Sequence, residues 1–123
     1  MLHRPLPAFV LDLVLVLVFA TIGRATHEHG LTVTGVIGTA WPFLLGTAIG
    51  WGGVRLLSKA WPLEVGPGVT VWLATVVFGM LLRGVSGGGI ALPFVLVAAG
   101  TLALLLVGWR ALLTWRSRGG AIP

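Results

Sequence analysis

The chain is a succession of long apolar runs broken by short polar or glycine-containing connections. Residues 8–23 are apolar apart from Asp12 and Thr21. A second run lies between Gly35 and Leu57, a third over residues 69–82, and a fourth from Ile90 to about Leu113. The runs are continuous instead of alternating, which predicts helices and argues against membrane β-strands. A helix needs about 20 apolar residues to cross the hydrocarbon core. The second and fourth runs reach that length, while the first and third fall short if they stop at Arg24 and Arg83. The expected remedy is that these helices continue past their arginines, leaving both guanidinium groups near the headgroups, or that the bilayer thins locally.

The resulting expectation is an all-α polytopic membrane protein. It has four transmembrane helices over about 8–25, 37–57, 68–84 and 90–113, in one domain of residues 1–123. The basic lead before the first run has the look of a secretory signal, but an acid inside the run and three further runs favour a retained helix. Pro7 fits a helix start. Pro42 stands in the first turn of the second span or kinks it near its beginning, with Thr39 as a candidate cap.

Composition supports lipid as the solvent. Hydrophobic residues make up 57% of the 123 and charged residues 9%, far below the roughly 25% of a soluble domain. The net charge of +5 comes from scattered bases in apolar surroundings, so nucleic acid is not an expected partner. With four spans, Arg4, Arg55, Lys59, Arg110, Arg116 and Arg118 share one side and only Arg24 and Arg83 the other. That bias predicts both termini in the cytoplasm and residence in the cell membrane. Trp51, Trp61, Trp72, Trp109 and Trp115 gather at the cytoplasmic ends and Trp41 at the outer end, as interface anchors would. No cysteine is present, which excludes disulfides and thiolate chemistry.

Two spaced motifs recur in the same order. Phe19 to Arg24 is matched by Phe78 to Arg83. The frame Gly-x-Ala-x-Pro-Phe appears at Gly38, Ala40, Pro42 and Phe43 and again at Gly89, Ala91, Pro93 and Phe94. This suggests two parallel helical-hairpin repeats related by an axis along the membrane normal, with Gly38, Pro42, Gly89 and Pro93 shaping equivalent corners. Chance matching between apolar segments is the alternative. Only the first unit carries the His27-Glu28-His29 loop, and Asp12 has Val71 at its counterpart position.

An ionisable group inside a span is a functional candidate by default, which singles out Asp12. Its plainer role is to pair with Arg55 or Arg110 at the same end of the bundle. Arg24, His27 and Glu28 would share a helical turn, and with Arg83 they form an outer polar cluster able to hold an anion or a lipid phosphate. Two arginines reaching to the interface are the plain alternative. A metal site lacks a fixed third ligand, and no cofactor is expected. Gly46 and Gly50 form a GxxxG face, and Thr75 with Gly79 and Ala99 with Ala103 repeat the small-residue spacing. Such faces suggest a homo-oligomer or docking to a larger membrane complex. Because no nucleophile–base pair or phosphate loop is present, the chain is not expected to be an enzyme.

Asp12, the stretch Phe19-Ala20-Thr21-Ile22-Gly23-Arg24-Ala25-Thr26-His27, Ala40-Trp41-Pro42-Phe43, and Arg83 together resemble the small prokaryotic membrane proteins grouped as domain of unknown function 3054. The resemblance covers nearly the whole chain. It implies a four-span membrane protein and carries no catalytic or binding role with it. The function expected from the residues is a transporter- or channel-like oligomer with an outer Arg/His cluster and an intramembrane acid, its ligand unknown. The alternative is a non-transporting accessory subunit or assembly factor.

Overall fold

The computed structural model describes residues 3–25 and 31–121, and among these every regular element is helical. The elements are α1 (Pro5–Ala25), α2 (Val33–Ser58), α3 (Val65–Val85), α4 (Leu92–Leu102), a π-helical turn (Ala103–Val107) and α5 (Gly108–Ala121). The last three run on as one rod, so four helices are long and apolar enough to cross a membrane. Leu73, Val77, Leu96, Val97 and Leu104 all face outward. Outward-facing leucine and valine along four helices of spanning length suit a lipid surrounding, which makes this a multi-pass membrane protein.

Both short spans run past their arginines as expected, and they gain further length at their starts. α1 begins at Pro5 and ends one residue beyond Arg24; α3 begins at Val65 and ends two beyond Arg83. Pro5, Pro7 and Pro67 lie in first turns, where the missing N–H has no intrahelical partner to lose. α2 also starts early. Thr32, not Thr39, is its cap and accepts from the Gly35 N–H at 2.9 Å. Thr39 already lies inside the helix and donates to the Gly35 carbonyl. At the other end Lys59 takes a left-handed conformation and returns its N–H to the Arg55 carbonyl.

The helices pack in a ring, α1 on α2, α2 on α3, α3 on the fourth rod and that rod back on α1. Val16, Phe19, Phe43, Ala98, Leu102 and Leu106 fill the centre. The α2–α3 contact is the closest. A Cβ at Gly46 would stand 3.0 Å from the Thr75 carbonyl oxygen, and one at Gly50 3.0 Å from the Val71 Cα. This GxxxG face is therefore used for close approach inside the chain, between α2 and α3. The Thr47 and Thr75 hydroxyls meet 2.9 Å apart in the same seam. One donates to the other, and the remaining proton goes to the carbonyl four residues back.

The π-turn has a geometric reason. Ala98, Leu102, Leu106 and Arg110 are all buried at strict four-residue spacing. In an α-helix that stripe drifts about 40° per step, roughly 120° over three steps. One extra residue in a π-turn takes back about 100°. Arg110 is thereby kept on the inward face.

The two Gly-x-Ala-x-Pro-Phe frames do not make equivalent corners. The first lies wholly within α2, while the second straddles the connection and puts Pro93 at the start of α4. The helix of the first unit is already capped upstream by Thr32, and the second has no such cap. Phe19 is buried but Phe78 faces outward.

Candidate functional site

Seven residues into α1, Asp12 has no contact with solvent. An isolated carboxylate there would be costly, and a low-dielectric interior must supply its hydrogen bonds from protein. Two elements do so. Arg110 grips it with both ends of its fork, Nη1 to Oδ1 at 3.0 Å and Nη2 to Oδ2 at 2.7 Å. The indole Nε1 of Trp51 donates to Oδ2 and that of Trp109 to Oδ1, each at 2.8 Å. Both oxygens thus accept two hydrogen bonds. The remaining guanidinium protons go to carbonyls: Nε and Nη2 to Pro62, Nη1 to Leu106. All five N–H donors of Arg110 are satisfied within the chain. Gly68 makes the room, since a Cβ there would overlap the Arg110 side chain. The cluster ties α1, α2, the α2–α3 connection and the fourth rod together. It offers no spare donor to a ligand.

The opposite end of α1, about 18 Å away at 1.5 Å per residue, is different. Arg24 and Arg83 line one cavity of about 290 Å³ together with Phe19, Ala20, Gly23, Thr39 and Phe94. Glycines allow both arginines to fold over it. A Cβ at Gly35 would stand 2.6 Å from the Arg24 Nε, and one at Gly88 2.6 Å from the Arg83 Cγ. Gly87, at φ +92°, makes the turn that brings Gly88 and Gly89 back towards Arg83. Arg83 stacks over the Phe94 ring at 4.4 Å and donates Nε to the Gly89 carbonyl. The described residues offer its two Nη nitrogens no acceptor. A half-buried guanidinium with unspent donors beside a second guanidinium suits an anionic oxygen.

Of the residues singled out from sequence, the structure brings Arg24 and Arg83 together and sets Asp12 apart at the other end. His27, Glu28 and His29 lie outside the described residues. Arg55 is not the partner of Asp12; it stacks on Trp61 and donates to the Lys59 carbonyl. Trp51 and Trp109 are corrected from interface anchors to donors on a buried carboxylate. Trp72 likewise turns inward and donates to the Ala99 carbonyl. Pro62, Gly68 and the π-turn went unnoticed in the sequence, since a carbonyl acceptor or a gap for a side chain leaves no signal in residue type.

No curated protein and no solved structure matches the chain. A family model does, over residues 9–113, and that stretch takes in Asp12, Trp51, Trp109, Arg110 and both arginines of the cavity. The chain belongs to the family described as protein of unknown function (DUF3054).

Proposed function

We propose that the protein is a small transporter- or channel-like membrane protein that admits an anionic solute at the cavity between Arg24 and Arg83. The supporting observation is the convergence of two arginines from separate helices on one cavity, with no acceptor for the Arg83 Nη donors among the described residues. The Asp12–Arg110 cluster serves this reading as a fixed clamp and not as a coupling acid, because every donor and acceptor in it is already engaged. Purified protein in liposomes loaded with inorganic phosphate, chloride or succinate should release at least one of them faster than protein-free vesicles. Arg83→Gln should slow that release about 10- to 100-fold, the loss of one charge-assisted hydrogen bond at about 1.5–3 kcal/mol. Equal rates for wild type and Arg83→Gln would defeat the proposal. No release at all, with one stoichiometric protein recovered in mild detergent, would support the accessory-subunit reading.

In this reading the Arg24 end faces outward and both termini are cytoplasmic, as the distribution of Lys and Arg supports. The absence of native cysteine allows a direct check. A Cys at the exposed Ser86 should react with a membrane-impermeant maleimide in intact cells, and a Cys at Ser117 only after lysis. The opposite pattern would invert the orientation.

A further inference from the structure

At the Arg110 end a second cavity opens sideways between α1 and α2. It has a volume of about 350 Å³ and is lined by Pro5, Leu6, Phe9, Ala48, Trp51 and Trp61. The lining is apolar apart from indole nitrogens, and Leu6 and Ala48 face the surroundings. Its floor is rigid. Trp51 is pinned by its hydrogen bond to Asp12, Phe9 packs edge-on against it at 5.1 Å, and Trp61 lies 6.1 Å beyond. An apolar recess held open by a buried hydrogen bond does not collapse when empty, so it is ready to be filled.

The rim carries positive charge. The Arg55 guanidinium sits over the Trp61 ring at 4.8 Å, and its Nη1 donates to the Lys59 carbonyl. That holds a cation against Trp61, a residue of the groove wall, with the backbone of the exposed Lys59 beside it. Glu64, the acid of the same connection, lines a different depression with His3 and Ser117. An apolar groove open to lipid, with fixed cations at the headgroup end, matches a molecule that is apolar along its length and anionic at its tip.

We propose that this groove seats one acyl chain of an anionic phospholipid whose phosphate is held by Arg55 and Lys59. The site stands independently of the Arg24–Arg83 cavity, which lies at the other end of the bundle. Trp61 reports on it. In phosphatidylcholine vesicles, the Trp61 fluorescence, taken as wild type minus Trp61→Phe, should be quenched by phosphatidylglycerol brominated on its acyl chain. Quenching should occur at a mole fraction about fivefold or more below that needed for brominated phosphatidylcholine, since each basic group near the surface is worth about a fivefold preference. The double variant Arg55→Gln, Lys59→Gln should bring the two lipids to the same value. Ala48→Phe, at an exposed position that leaves the core untouched, should fill the groove and cut quenching by brominated phosphatidylglycerol to the phosphatidylcholine level. Equal quenching by both lipids in the wild type would mean ordinary boundary contact and would overturn the proposal. So would a preference that survives both the double charge variant and Ala48→Phe.

Discussion

Asp12→Asn should destabilise the bundle by about 3–5 kcal/mol, the usual loss when one partner of a buried ion pair is removed and the other is left uncompensated. Arg110 keeps its carbonyl contacts to Pro62 and Leu106, but its charge then has no counterion in a water-free interior. Arg110→Gln should cost a similar amount for the mirror reason. The double variant Asp12→Leu, Arg110→Met should cost much less than the sum of the single losses, because the penalty lies in the orphaned charge and not in the absence of the pair. Trp51→Phe and Trp109→Phe each remove one hydrogen bond to a charged group, about 1.5–3 kcal/mol apiece. Gly68→Ala should act in the same direction, by pushing Arg110 off the carboxylate. Unfolding in mixed micelles titrated with dodecyl sulfate would measure all of these. An Asp12→Asn protein within about 1 kcal/mol of wild type would show that the cluster does not hold the helices together.

Gly46→Leu should be the other severe substitution. The space a side chain would need is occupied by backbone, the Ala74 carbonyl oxygen at 3.1 Å and the Thr75 carbonyl oxygen at 3.0 Å, so α2 and α3 must separate. Overpacking of this kind costs about 1–3 kcal/mol and sometimes more. Separation would also break the Thr47–Thr75 contact. Gly100, with open space around the position of its missing Cβ, is the control. Gly100→Ala should be neutral or should stabilise by up to about 1 kcal/mol, the helix-propensity gain alone. Cross-linking separates this intramolecular seam from an oligomer contact. If Gly46→Leu leaves the unfolding midpoint unchanged but abolishes a cross-linked dimer, the glycine face belongs between chains.

The spans were legible in the sequence because lipid imposes a simple demand, a long apolar run for each crossing. Their starts were less so. Pro7 marked a start correctly, but the first turns at Pro5 and Val65 take in residues before the apolar runs, so the spans begin earlier than those runs suggest. Asp12 was conspicuous as an acid among leucines and valines, and Arg110 was one of two partners its place in the chain allowed. Its tryptophan donors were hidden by a sound general rule. Indoles collect at interfaces because one edge is polar, and the same polar edge suits a buried carboxylate equally well. Only the rotation of each helix decides between these uses, and for Arg110 that rotation depends on a π-turn no residue type announces. The Arg24–Arg83 cavity was anticipated through matching positions in two motifs, yet the motifs themselves take unlike places in their helices.

The clamp on Asp12 also sets an order of assembly. Its closing hydrogen bonds join residues 97 and 98 positions apart. Chains are made from the N-terminus onward, so α1 enters the bilayer long before Arg110 and Trp109 exist. During that interval the carboxylate has at most Trp51 to turn to. The ring of helices can therefore lock only when the fourth rod arrives, and a chain arrested before residue 109 carries an uncompensated acid into the membrane. Such a fragment lacks both the cation and the second indole that hold the carboxylate in the complete bundle.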